Sequence, residues 1–470
     1  MMFHFLGPKV FRLGIQRYLK TYAYNNAEQD DLWGALTTEA HYHRSMAEHV
    51  TVKTVMDTWT LQTGYPVLQV QRNYKTGAVT VSQERFCWTH ECKDRTQTWW
   101  IPLTWTKEKN PQYNETVPKA WLNNSKLELE ETVGEEEWIL FNLLQTGYYR
   151  VNYDDKNWKQ LAQSMDVLPA VIRSQLIDDA LAASRTGILK YEITIDLIKS
   201  LENETDYLVW DSAMKGLRYI HNKMYDDENF NKFMLKLVQK IFETVGTTEK
   251  EVDGHRERRS RWQILRWACE VGHKECHDRA YQYLRNWMHM AAGKNPIPAN
   301  LRSWVYCMGL KGAGKTEWDF LWNKYLESTS GAEKEVLLEA LGCISDKTIL
   351  SSYMEKSISS DSGVRKQDGW RVFDAVAQTP EGVEIAFNFL REKWSTIYEY
   401  YGSGFSAVSR IITALSKYMN TESDLQKFED FKNSISLGST NTAFKQTSEE
   451  IKVNVAWMMK YKQQIQHILN

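Results

Sequence analysis

The stretch Gly147-Tyr148-Tyr149-Arg150-Val151-Asn152-Tyr153-Asp154 separates two kinds of sequence. Ahead of it, from Tyr65 onward, apolar and β-branched residues alternate in short runs broken by turn residues. Behind it, apolar residues recur at three- and four-residue spacings to the C-terminus. A period of two places one face of a strand in a core, and a period of about 3.6 places one stripe of a helix there. Tyr149, Val151 and Tyr153 alternate with Arg150 and Asn152, the pattern of a last strand. Asp154 is a cap for a helix starting near Lys156. The seam therefore predicts a small β domain joined to a large α domain.

Residues 1–64 are expected to be helical. Phe11, Ile15, Tyr18 and Leu19 share one face, and Tyr24-Asn25-Asn26 breaks that helix. Asp30-Asp31 opens a second helix over Leu32–Met46, and a third runs from Thr51 to Thr63. In residues 65–153, Val67, Val70, Val79, Val81, Phe86, Trp100, Ile101, Leu103 and Trp105 sit in short runs. Lys75-Thr76-Gly77, Asn110-Pro111 and Asn123-Asn124 separate them, the rhythm of a small β-sandwich. In residues 154–470, Trp262, Leu265 and Cys269 mark one helix face. Trp304, Cys307 and Met308 mark another, and Trp370, Phe373 and Ala377 a third. Ser328-Thr329-Ser330-Gly331 and Thr379-Pro380-Glu381-Gly382 carry stop and cap residues. This succession, without a strict repeat, predicts an α-solenoid of HEAT- or armadillo-like helix pairs with a concave face. The fold class is mainly α.

Charge excludes some partners. The 58 basic and 60 acidic residues give a net charge of -2 and are interspersed, which argues against nucleic acid or an anionic membrane surface. No apolar run approaches the roughly 18–20 residues of a spanning helix. Met1–Gly7 lacks the basic start of a signal peptide, and the C-terminus lacks a lipid-anchor signal. The cysteines point elsewhere. They fall as three close or helix-bridging pairs, Cys87/Cys92, Cys269/Cys276 and Cys307/Cys343. Such a set favours a disulfide framework, although a cytosolic chain of this size could carry six free thiols. Three glycosylation acceptors, Asn114, Asn123 and Asn203, favour an extracellular setting.

Several strings imitate chemical sites. Gly309-Leu-Lys-Gly-Ala-Gly314-Lys315-Thr316 matches the phosphate-binding loop, yet Trp304, Cys307 and Met308 ahead of it have helical spacing rather than that of the required strand. It reads as a Gly-rich break between helices. His90-Glu91-Cys92-Lys93-Asp94 begins like a zinc helix, but Asp94 stands where the second His is needed. It reads as a hairpin tip. His273 and His277 beside Cys269 and Cys276 could form a zinc cluster, with a disulfide between helix ends the preferred reading. His41, His43 and His49 have no metal spacing with a paired Glu, and no Ser/His/Asp or Cys/His arrangement is present.

Three strings, MDTWTLQTGYPVLQV, WWIPLTW and GYYRVNYD, occur in this order. With them the chain resembles, over essentially all of residues 1–470, the C-terminal half of zinc aminopeptidases of the aminopeptidase N type. The resemblance implies that residues 1–64 close a catalytic domain, residues 65–153 form the family's β-sandwich, and residues 154–470 form a bowl-shaped helical domain over the active site. It implies removal of an N-terminal residue from a peptide by zinc-activated water in the intact enzyme, outside the cell or at the plasma membrane. The family's Gly-Ala-Met-Glu-Asn motif, zinc helix, distant Glu ligand and catalytic Tyr are not in this sequence. The expectation is therefore a chain that supplies lid and peptide chamber, binds no zinc, is inactive alone, and follows an N-terminal part carrying the chemistry. Cys269–Cys276 and Cys307–Cys343 match disulfides of the resembling ectoenzymes. Val364-Arg365-Lys366-Gln367-Asp368 matches a stretch that in some relatives faces the internal cavity. There its Arg lies near the peptide's C-terminal end, a role that Arg365 would take as a planar guanidinium for a carboxylate. The alternative is a non-catalytic helical scaffold that binds a peptide or protein partner in its concave face. Metal analysis of the purified chain is expected to find no stoichiometric zinc, and aminoacyl reporters are expected to stay intact. One tightly held zinc per chain would overturn this.

Overall fold

The structure, a computed structural model, describes residues 1–88, 96–290, 295–402 and 406–470. Helices dominate, with one four-stranded sheet and two two-stranded ladders. The chain divides into two units, Met1–Ser200 with Leu208–Gly216, and Leu201–Tyr207 with Leu217–Asn470. No helix among the described residues is long and apolar enough to cross a membrane.

The first unit opens with α1 (Met2–Leu6), α2 (Pro8–Thr21), α3 (Gln29–Tyr42) and α4 (Val52–Thr60), packed around Phe5, Leu6, Trp33, Leu36 and Val55. Phe11, Ile15 and Tyr18 on the expected face of α2 are half-buried, with Phe11 against the core, whereas Leu19 is 62% exposed. Val10 and Gly14 beside them are buried, and a Cβ on Gly14 would lie 2.6 Å from the Leu36 side chain, so α2 and α3 approach closely there. Helix α4 stops at Thr60, three residues ahead of the expected Thr63.

Strands β1 (Pro66–Arg72), β2 (Ala78–Arg85), β3 (Ile101–Leu103), β4 (Trp105–Lys107), β5 (Ala120–Leu122), β6 (Lys126–Thr132), β7 (Ile139–Phe141) and β8 (Arg150–Tyr153) follow. The sheet order is β6-β2-β1-β8, with β3–β5 and β4–β7 as separate ladders. β1 runs antiparallel to β2 and parallel to β8. Val67, Val70, Val79, Val81, Val151 and Tyr153 are buried, as their alternation requires. Buried Gln83 replaces missing ladder contacts: its amide donates to Trp99 O at 2.9 Å, and its carbonyl accepts from Trp99 N at 2.8 Å.

At the seam the strand gives way to α5 (Asp155–Gln163), α6 (Ala170–Thr186) and α7 (Tyr191–Ile198). Asp154 caps α5 by accepting from Asn157 N at 3.0 Å, and it also accepts from Arg72 N at 3.2 Å. Asn157 then imitates a strand residue, accepting from Ile139 N and donating to Ile139 O, both at 3.0 Å. Arg150 pairs with Asp178 at 2.8 Å and Asp179 at 3.1 Å on α6.

Helix α8 (Tyr207–Met224) leads into the second unit. It is followed by α9 (Glu228–Val245), α10 (His255–Glu270), α11 (Lys274–His289), α12 (Arg302–Leu310), α13 (Lys315–Glu327), α14 (Gly331–Leu341) and α15 (Lys347–Lys356). The last six are α16 (Gly369–Val376), α17 (Pro380–Glu392), α18 (Trp394–Tyr401), α19 (Ala407–Ala414), α20 (Glu422–Ser434) and α21 (Asn441–Leu469). Alternate helices form one layer: α10 packs on α12, α12 on α14, α14 on α16, α16 on α19, and α19 on α21. Each pair packs against its neighbours, which is solenoid geometry. Helix α21 then returns to the start of the unit and packs on α9. Tyr219 meets Trp457 edge-on at 5.7 Å, and Asn420 donates to Asn222 O at 3.2 Å.

Small residues set the spacing of this layer. A Cβ on Gly342, just beyond α14, would lie 2.5 Å from the Ala375 carbonyl carbon of α16. Gly331, at the start of α14, has nothing within 4 Å. Gly342→Ala is expected to cost about 1–3 kcal/mol by overpacking, while Gly331→Ala leaves stability unchanged or slightly raised. Urea denaturation of the two variants checks this; equal midpoints would refute it.

Candidate functional site

The amino ends of α16 and α19 enclose a cavity of about 500 Å³ in the second unit, lined by Arg365, Lys366, Trp370, Tyr401 and Arg410 among others. Gly363, at φ 86°, turns the chain out of the preceding loop and into this corner. Arg365 caps a 3-10 turn over Lys366–Asp368, and its Nε donates to Asp368 Oδ2 at 2.6 Å. That contact fixes the guanidinium while leaving it 53% exposed to the cavity. Arg410 lies over the Trp370 ring at 4.4 Å, and Lys366 lies over Tyr400 at 5.2 Å. Among the described residues neither Lys366 nor Arg410 has an ion pair. The buried Tyr401 hydroxyl donates to Ser357 O at 2.6 Å, which anchors the floor.

This charge runs against helix chemistry. Amide N–H groups at a helix start carry partial positive charge and favour acidic residues there. The first turns of α16 and α19 contain no acidic residue; Asp368, just ahead of α16, pairs with Arg365, and Lys366 and Arg410 stand beside the amino ends without an ion pair among the described residues. Arg365, Lys366 and Arg410 thus give the cavity a positive lining beside two helix amino ends. A local rule broken in this way is expected at a functional site. Arg365 was legible only through the resemblance. Arg410 and Trp370 gave no sequence signal, because they reach the cavity from separate helices.

The other candidates have structural partners. The structure joins Cys269 to Cys276 and Cys307 to Cys343. The Trp304 indole N–H lies 3.2 Å from Cys269 Sγ, packing the first bridge into the core. Cys87 is disulfide-bonded, while Cys92 and the His90–Asp94 string fall on residues 89–95, outside those described. Asn114, Asn123 and Asn203 are exposed in turns or loops. In the phosphate-loop string a helix, α12, stands where a strand is required, and Lys315 pairs with Asp319 at 2.5 Å.

Among the described residues the candidate metal donors have other partners. His273 caps α11 by accepting from Cys276 N, and His277 bonds Cys269 O at 2.8 Å. The flanking sulfurs are oxidised and so are not thiolate ligands. His41 bonds Val50 O at 2.8 Å, His43 lies by Glu39, and His49 is exposed. Among the described residues no three His, Cys, Asp or Glu side chains converge to hold a metal.

Residues 138–453 match the family described as ERAP1-like C-terminal domain, and residues 1–59 match the peptidase family M1 domain. The thyrotropin-releasing hormone-degrading ectoenzyme of Rattus norvegicus is 32% identical over 488 residues, covering 99% of this chain and 45% of the relative. Aminopeptidase Ey of Gallus gallus is 32% identical, with 98% and 48% covered. Aminopeptidase N of Bos taurus is 29% identical, with 98% and 49% covered. The chain thus spans about half the length of the curated relatives it matches.

The two bridges close loops of different length, 36 residues for Cys307–Cys343 and 7 for Cys269–Cys276. Chain entropy then predicts a loss of about 4 kcal/mol for Cys307→Ser/Cys343→Ser and about 2 kcal/mol for Cys269→Ser/Cys276→Ser. Denaturant unfolding of the two double variants checks the order. A larger loss from the short loop would refute the entropic account.

Proposed function

We propose that this chain, which belongs to the peptidase M1 family and carries its ERAP1-like C-terminal domain, holds the far end of a peptide whose N-terminal residue a zinc centre removes. The observation that carries this reading is the cavity lined by Arg365, Lys366 and Arg410, with Arg410 over the Trp370 ring. A peptide held at its amino end needs a partner for its terminal carboxylate, and these cations offer one beside two helix amino ends. Residues 1–64 would then be the closing helices of a catalytic domain, residues 65–153 its β-sandwich neighbour, and residues 154–470 the peptide chamber.

The family's metal supplies the activated water; this chain's own residues bind and orient. Arg365, fixed by Asp368, would accept the carboxylate without first losing side-chain freedom. Arg410, held flat on Trp370, would close over it from the opposite helix. Two bridged cysteine pairs and three exposed sequons at Asn114, Asn123 and Asn203 support an extracellular setting, with glycans on those asparagines.

Charge-assisted contacts contribute roughly 1.5–3 kcal/mol, about one to two decades in affinity. Calorimetric titration of the chain is therefore expected to show an octapeptide free acid binding at least about tenfold tighter than its C-terminal amide. Arg365→Ala and Arg410→Ala should each shrink that ratio. Equal affinity for acid and amide in the unsubstituted chain would refute the reading.

A further inference from the structure

The two disulfides of the second unit differ in their access to solvent. Cys269 and Cys276 are both 0% exposed, and the Trp304 indole nitrogen covers them, 3.2 Å from one sulfur and 3.3 Å from the other. Cys307 and Cys343 instead line a cavity of about 680 Å³, where the carboxyl ends of α8, α10, α12, α14 and α16 converge. Cys307 sits in the last turn of α12 and is 5% exposed. Cys343, just beyond the end of α14, is half-buried. Neither Cys269 nor Cys276 lines that cavity.

Thiol–disulfide exchange needs an external thiolate to reach one sulfur while the other leaves, so access selects which bond reacts. The cavity gives a small thiol a route to Cys343 Sγ, and Trp304 and its surroundings deny one to Cys269 and Cys276. The charge of the lining helps the departure. Arg218, Arg266, Lys311 and Lys417 face the cavity against Glu270 and Glu381, so a thiolate released at Cys307 meets an excess of positive charge. His221, whose pKa burial lowers to about 4, adds none near pH 7.

We propose that Cys307–Cys343 is a redox-modification site of this chain, opened by a low-molecular-weight thiol of the glutathione class and closed again by the corresponding disulfide. A thiolate attacks Cys343 Sγ, and the electron pair of the S–S bond leaves on Cys307 Sγ. A second thiolate then attacks the external sulfur of the mixed disulfide and frees Cys343. Two external thiols become one disulfide, and their two protons end on Cys307 and Cys343. The bond ties the carboxyl ends of two helices that are neighbours in one layer, α12 and α14, and closes the chain around α13 between them. Its opening unclips those ends, while α12 keeps its packing on α11 and α14, so the unit loosens without unfolding. Neither cysteine lines the Arg365 cavity, so the site stands or falls separately from the function proposed above.

The test uses the full, unsubstituted chain, oxidised and without denaturant. Aliquots are exposed to reduced glutathione, quenched with iodoacetamide at intervals, and mapped by peptide mass spectrometry. Cys307 and Cys343 are expected to become alkylated at least about tenfold faster than Cys269 and Cys276, because access sets the rate. The treated chain should stay folded, with its urea midpoint lowered to that of Cys307→Ser/Cys343→Ser, and oxidised glutathione should restore the starting midpoint. Opening of Cys269–Cys276 first or at the same rate would overturn the proposal. So would alkylation of Cys307 and Cys343 only in urea, or opening by a dithiol protein such as thioredoxin but not by glutathione. The alkylation rates need no substitution, so a variant that fails to fold leaves the test intact.

Discussion

The helical unit is closed by the return of α21 to its beginning, where it packs on α9. In a solenoid each repeat is held by its neighbours, so end helices have one neighbour too few and the array can splay. Here the last helix supplies the missing neighbour: Trp457 packs against Tyr219, and Gln466 donates to Asp227 at 2.7 Å. Asn454 and Asn420 add buried polar links, with Asn454 donating to Ser416 O at 2.9 Å. Burying an amide without a partner is expensive, so the hydrogen bonds these two side chains make favour the closed arrangement.

Closure also gives the layer a polarity. Its helix carboxyl ends gather at one cavity, and two of its amino ends, those of α16 and α19, frame the other. Partial charges of opposite sign therefore collect at the two sites. At the carboxyl ends Arg218, Arg266, Lys311 and Lys417 complement the exposed carbonyls, as expected of a stable protein. At the amino ends Arg365, Lys366 and Arg410 oppose the backbone charge.

The β-rich part obeys the same economy of buried polar groups. Arg72 is 9% exposed, yet its guanidinium donates to Glu137 O at 2.6 Å and Gly134 O at 2.7 Å. Tyr153 accepts from Phe141 N at 2.9 Å, and Tyr149 donates to Pro102 O at 2.9 Å. The aromatic residues that made the GYYRVNYD string conspicuous thus join β8 to loops and strands distant in sequence. Their hydroxyls serve this purpose as much as their rings do.

The sequence by itself determined the periodic parts. The switch from strand to helix is local, and β8 ends at Tyr153 with α5 starting at Asp155. The family resemblance was equally legible, since it rests on short strings, and so was the helical break at Gly309–Thr316. The exposure of Leu19 on α2 and the close approach of α3 at Gly14 were not, because both depend on how the two helices pack. The receptor was legible in one residue of several. Arg365 stood in a recognisable string, but Arg410 and Trp370 become its neighbours only when α16 packs on α19. Whether a charge is matched or left open depends on every side chain around it, and that is decided by tertiary packing alone.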